Sequence, residues 1–222
     1  FVVSLDSSGN ENNWSSTNLG PHDVSLDGPQ NNFCTWNLAW ENIGAYQTLG
    51  QGNLMHTGDA NYATVTATMG VKYGKWYWEV KKLTDTTIMI GIVRGTAVSG
   101  NTYTGYDTLN NVYGFGWQGD GGWMYGATGV GTANGSNVGQ HPVGDVGFAV
   151  DDIVGLAVDI PSGTLKFYKN NVLAYTWTGI SSYDWIPAVS GYGTNSHSAA
   201  NFGQNPSFSG EITAGTAADE NG

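Results

Sequence analysis

Between residues 36 and 205 the chain reads as short apolar runs broken by clusters of Gly, Asn, Asp, Ser and Pro, the cadence of β-strands joined by turns. Trp76-Tyr77-Trp78-Glu79-Val80 alternates with period two, which predicts a strand with Trp76, Trp78 and Val80 on one face and Tyr77 and Glu79 on the other. Ile88-Met89-Ile90-Gly91-Ile92-Val93 is apolar on both faces, as a central strand covered on both sides must be. Tyr113-Gly114-Phe115-Gly116-Trp117 sets aromatic rings against glycines, and the glycine face leaves room for a neighbouring backbone or side chain to come close. Val154–Asp159 and Thr164–Tyr168, joined through Pro161-Ser162-Gly163, predict a hairpin with Leu156, Val158, Leu165 and Phe167 inward. Asn170-Asn171 predicts a second tight turn, because asparagine tolerates the left-handed region. Trp185–Val189 and Ala200–Phe202 supply late strands. No 3.6-residue period runs long enough for a substantial helix, and no internal repeat appears.

The pattern predicts an all-β fold, an antiparallel two-sheet β-sandwich of jelly-roll type, with Trp76, Trp78, Phe115, Trp117, Trp123 and Phe167 in its core. Residues 1–36 read as an irregular lead-in able to add an edge strand, 37–205 as the sandwich, and 206–222 as a polar tail or linker. Composition agrees: 34 glycines, nine tryptophans and twelve tyrosines accompany only 11% charged residues, so helix-forming charged side chains are scarce. The chain opens on Phe1 rather than Met, as a piece of a larger polypeptide would.

Charge narrows the partners. Formal net charge is −11 and only seven residues are basic, so there is no cationic patch to displace counterions from nucleic acid. An anionic membrane surface would repel the chain, and no apolar stretch approaches the length of a membrane span. Cys34 is the single cysteine, set in Phe33-Cys34-Thr35-Trp36, and reads as a structural thiol.

Several motifs, taken in order, resemble a SPRY domain. They are Gly74–Val80, Ile90-Gly91-Ile92, Tyr113–Trp117, Gly122–Gly126, Asp152–Asp159, Gly163–Asn170, Ile186–Val189 and Asn201-Phe202-Gly203, covering roughly residues 50 to 205. The resemblance implies a bent sandwich related to concanavalin-like lectins, without chemistry of its own, whose members recognise protein partners through loops at one end. The flanks, Asp6–Asn10 through Asn13-Trp14, Asp27–Phe33 and Asn201–Gln204 with the following Gly/Ala-rich stretch, resemble those of SPRY domains in bacteriophage virion and tail-associated proteins.

No catalytic set is legible. Glycoside hydrolysis needs two carboxyl groups across a cleft, and no two of Glu11, Glu41, Glu79, Glu211 and Glu220 share a predicted strand. Glu79, with Lys81 two residues on, reads as one member of a structural ion pair or hydrogen bond. His22, His56, His141 and His197 lack metal-ligand spacing and read as surface or turn residues. Asp151-Asp152 and Gly119–Gly122 lack the ligand order of a calcium loop and read as turns. Gly126–Gly131 lacks the Lys-Ser/Thr of a phosphate loop, and no Gly-x-Ser-x-Gly elbow occurs. No cofactor and no metal are expected.

Recognition then falls to the loops. Tyr103 and Tyr106 lie in the polar segment 95–111, Asn137 and His141 in 126–147, and Tyr183 in a third connection. Long loops on a rigid scaffold are where binding concentrates, and tyrosine offers contact area at low entropic cost. The other reading is that these rings staple their own loops. The expected function is a non-catalytic binding module of a larger phage virion protein such as a tail fibre, located at the virion surface. Its partners would be a host protein or surface glycan, other virion proteins, flanking domains of the same chain, or a second copy in a homo-oligomer. The alternatives are a polysaccharide-binding or polysaccharide-degrading domain with loop acids such as Asp107 and Asp120, and a cellular SPRY adaptor; the location would then be secreted or cytoplasmic.

Overall fold

The computed structural model describes residues 10, 32–37, 47–59, 63–94, 104, 114–126, 147–180 and 183–205. Thirteen strands are present among them: β1 (Trp36–Asn37), β2 (Gln47–Gly50), β3 (Met55–Gly58), β4 (Ala63–Ala67), β5 (Lys75–Lys82), β6 (Thr87–Arg94) and β7 (Gly114–Gln118). After a 3-10 turn at Asp120–Gly122 follow β8 (Met124–Tyr125), β9 (Ile153–Asp159), β10 (Thr164–Lys169), β11 (Val172–Thr178), β12 (Trp185–Tyr192) and β13 (Ser196–Asn201). They form a six-stranded sheet, β1-β4-β12-β6-β7-β8, and a seven-stranded sheet, β11-β10-β9-β5-β13-β3-β2. Every ladder is antiparallel. The fold is the all-β sandwich the alternation predicts.

Cross-strand registers show how the core is assembled. Trp78 faces Leu156, which faces Phe167, so one rung crosses β5, β9 and β10 on the inner side. The next rung carries Val158 and Leu165, and all four predicted inward residues of the β9–β10 hairpin are buried. From the other sheet, Ile90 opposite Trp117 and Ile92 opposite Phe115 close the interior. Trp117 meets Phe148 and Phe167 edge-on, an arrangement that suits the charge distribution of aromatic rings. Asn170 and Asn171 both have positive φ and join β10 to β11 in two residues.

Two of the six predicted core aromatics sit elsewhere. Trp76 shares the inner side with Val158, but on the second residue of β5, at the mouth of the sandwich; its indole N–H donates to the Tyr73 carbonyl at 2.6 Å. It is 51% exposed. Trp123 is half-buried because the 3-10 turn resets the phase: β8 pairs Met124 with Trp117, so Met124 takes the core place. His56 is a further correction to the surface reading. It lies wholly buried on the inner side of β3, opposite Ser198 of β13. Its Nε2 donates to Gln47 Oε1, and Ser198 Oγ donates to Nδ1 at 3.3 Å. Burial holds its pKa down at about 3, so the ring is neutral.

The two outer faces differ. On the seven-stranded sheet, Thr48, Thr57, Tyr77, Lys166, Tyr168 and Thr176 are exposed or half-exposed, around a buried centre at Glu79, Gly155 and Asn201. On the six-stranded sheet the outward residues Thr64, Thr66, Met89, Gly91, Val93, Gly116, Ala188 and Ser190 are all buried. Among the described residues, Thr104 lies on that second face.

Candidate binding surface

The covering begins at Gly116. A Cβ built there would stand 2.1 Å from the Thr104 carbonyl oxygen, so the backbone at Thr104 rests directly on the sheet where side chains are missing. Gly91, the residue opposite on β6, is equally tight: its Cβ would come within 1.8 Å of the Phe115 carbonyl oxygen. The Thr104 amide donates to Ser190 Oγ of β12 at 2.9 Å. Thr104 therefore pins the middle of the β6–β7 connection across three strands, an anchor that the glycine pattern anticipated in kind.

Tyr183 stands where that connection leaves the sheet. Arg94 is the last residue of β6 and pairs with Trp185, the first of β12. The Arg94 guanidinium lies over the Tyr183 ring, 3.0 Å from its centroid, and the ring meets Trp185 edge-on. Trp185 exchanges both backbone hydrogen bonds with Val71, at 2.7 and 2.9 Å, which fixes the base of the stack. Part of Tyr183 is thus occupied in stapling its own loop, while the residue as a whole stays exposed. Among the other predicted contact residues, Tyr103, Tyr106, Asn137 and His141 lie outside the described residues, as does Asp107.

The acidic residues that suggested other chemistry have structural partners. Glu79 accepts from Tyr77 Oη and Asn201 Nδ2, each at 3.0 Å, on the outer side of the seven-stranded sheet. Burial raises its pKa, and the same burial beside this carboxylate raises that of Tyr77. The hydrogen-bond reading of Glu79 holds, while Lys81 pairs with Asp151 at 3.0 Å. Asp152 accepts from the Ala149 amide and Asn170 Nδ2, as a turn-forming aspartate does. Asp120 accepts from Thr87 Oγ1 and from the buried Lys82 ammonium, the latter at 3.3 Å. Cys34 is half-buried beside Thr68, and burial pushes its thiol pKa up, away from nucleophilic character. Among the described residues no group of three His, Cys, Asp or Glu side chains is placed to hold a metal ion, and no helix is long and apolar enough to cross a membrane.

Comparison with known proteins agrees with the fold. The family model described as SPRY domain matches residues 75–205. Among solved structures, the SPRY domain of human HERC1 superimposes with a TM-score of 0.54 at 16% identity, over 72% of this chain and 94% of that one. The TRIM65 PSpry domain does so with a TM-score of 0.58 at 15% identity, over 78% and 93%. No curated protein sequence matches at a significant level.

Proposed function

The chain belongs to the SPRY domain family, and from that premise we propose that it is a protein-binding module whose recognition surface lies on the side of the six-stranded sheet marked by Thr104 and the Arg94–Tyr183 stack. SPRY domains are in general modules of protein–protein interaction without catalysis. The observation that carries the reading is the asymmetry of the two outer faces: most outward residues described on the seven-stranded sheet are exposed or half-exposed, while those at the centre of the six-stranded sheet are buried, with Thr104 seated on them. Gly116, which lets the Thr104 backbone approach the sheet, and Ser190, which accepts its amide hydrogen, give Thr104 a rigid mount. Preorganised loops lose less entropy on binding than free ones.

The setting we propose is the surface of a bacteriophage particle, within a larger virion protein, with a host-surface protein or a neighbouring virion protein as partner. The flanking strings Asp6–Trp14, Asp27–Phe33 and Asn201–Gln204 support that setting by resemblance. The test is a photo-crosslinking amino acid at position 183, with a second probe at Thr48 on the open sheet as control. Incubation with host envelopes and with purified particles is expected to give a discrete protein adduct from position 183 and none from Thr48. Adducts equal from both positions, or a glycan as the sole product, would overturn the reading.

A further inference from the structure

At the end of the sandwich where β6 finishes, the connection from β4 to β5 crosses from one sheet to the other. Large apolar side chains stand exposed at nine described positions, and Met69 and Tyr73 of this connection with Trp76 and Tyr77 at the start of β5 account for four. Tyr73 is 73% exposed, the most of the nine, and Trp76 follows three residues later with half its indole in water. All seven cations of the chain lie among the described residues, yet only Lys72 and Lys75 are exposed, and they bracket Tyr73. Each stands 3.6 Å from a carboxylate, Lys72 from Asp184 and Lys75 from Asp159. On a chain of net charge −11 this end is therefore an aromatic patch whose own charges cancel.

We propose that this patch, Tyr73 and Trp76 with Lys75 and Asp159, is a contact surface for a second copy of the chain. Charge selects that occupant. Two copies repel over most of their surfaces, whereas here each meets the other on ground carrying both signs in equal number. A two-fold contact brings the same patch to itself, so Lys75 of one copy can find Asp159 of the other and the reverse. Tyrosine and tryptophan are the residues such contacts enrich. An acidic partner segment would meet only two lysines, already paired, inside the field of eighteen carboxylates.

Size sets the strength. An aromatic side chain can bury about 150–250 Å², so the exposed parts of Tyr73 and Trp76 supply on the order of 300 Å² per copy. The pair falls below the ~1,200 Å² of stable complexes and belongs with weak contacts. A dissociation constant on the order of 0.1–1 mM follows, enough to matter where copies are held together in an assembly. The surface lies on the β5 side of this end and stands whether or not the loops bind a partner.

Sedimentation equilibrium across a concentration series tests it. The weight-average mass is expected to rise from one chain toward two as protein approaches about 1 mM, within that range of affinity. The association is expected to tighten as salt increases from 10 to 150 mM (both values set by the range of screening lengths, ~30 to ~8 Å), because salt screens the net repulsion more than it weakens a balanced patch. The double variant Tyr73→Ser/Trp76→Ser is expected to weaken it by more than ~10-fold. Lys75→Glu, which leaves the rings in place but makes the patch acidic, should do the same. Circular dichroism and melting temperature of each variant establish that it is folded. A chain that stays monomeric throughout, or a dimer that survives in both folded variants, overturns the proposal.

Discussion

Gly116→Ala puts the mounting of the recognition loop to a quantitative test. The new methyl would sit 2.1 Å from the Thr104 carbonyl oxygen, against an ordinary close C···O separation of about 3.3 Å. The loop backbone has to retreat by on the order of 1 Å, and the 2.9 Å bond from the Thr104 amide to Ser190 Oγ goes with it. Overpacking of this kind costs about 1–3 kcal/mol, and the lost bond about 1 kcal/mol more unless water replaces it. Because a loop can lift into solvent where a strand cannot, we expect a loss of about 2–3 kcal/mol for Gly116→Ala. Ser190→Ala attacks the same anchor from the other side and should cost about 1–2 kcal/mol. Since both release one contact, the double variant should lose less than the sum, by about 1 kcal/mol. Urea denaturation gives the three numbers, and amide exchange at Thr104 should be fast in each variant and slow in the parent. Strict additivity, or a Thr104 amide that remains protected in Gly116→Ala, would refute the anchor. Gly91→Ala is the contrast: its methyl strikes the paired strand itself, at Phe115, and should cost more than about 4 kcal/mol with global loss of structure.

Three further outcomes follow from the packing. Trp117→Ala should cost about 3–5 kcal/mol in urea denaturation, as large aromatic truncations in cores do, and Trp76→Ala less than about 1 kcal/mol. Equal costs would show that Trp76 is a core residue after all. His56 has a folded pKa near 3, below its ordinary 6.5, so its neutral form stabilises the fold at neutral pH. That contribution is lost as pH falls, at roughly 1.4 kcal/mol per unit at most. Between about pH 6 and 5 a His56→Gln variant should show a flatter stability profile than the parent. Glu79, with its pKa raised by burial, acts with the opposite sign and is common to parent and variant. Asp120→Ala leaves the Lys82 ammonium, whose side chain is 2% exposed, without its carboxylate, whereas Lys82→Met removes the charge. The first should destabilise by about 2 kcal/mol more than the second in thermal melts; the figure stays below that of a fully buried pair because Asp120 is 45% exposed.

Alternation was a sound guide wherever a strand ran through the middle of a sheet. The Leu156, Val158, Leu165 and Phe167 set, the Asn170-Asn171 turn and the doubly covered β6 are all written in local sequence, because period two and turn chemistry are local properties. Trp76 and Trp123 were misplaced because face is not burial. The first is on the inner side but at the start of its strand, where it stays half-exposed; the second follows a turn that shifts the phase. His56 reads as a surface or turn residue in the sequence because its burial depends on Gln47 and Ser198, the latter 142 residues away. The signal was present in Met55-His56-Thr57-Gly58, where His56 falls on the inward parity of a short strand. In the candidate surface, Gly116 announced a close approach, but nothing local could say that Thr104 makes it. The Arg94–Tyr183 stack likewise joins the end of β6 to the turn before β12, 89 residues on.

Which face of the sandwich meets a partner is read directly by amide exchange with and without the crosslinked partner protein. Slowed exchange is predicted around Arg94, Thr104 and Tyr183, with the interior at Trp117 and His56 and the open sheet at Tyr77 and Lys166 unchanged. Protection centred on Tyr77, Tyr168 and Thr176 of the seven-stranded sheet, with the loop side unaffected, would contradict it.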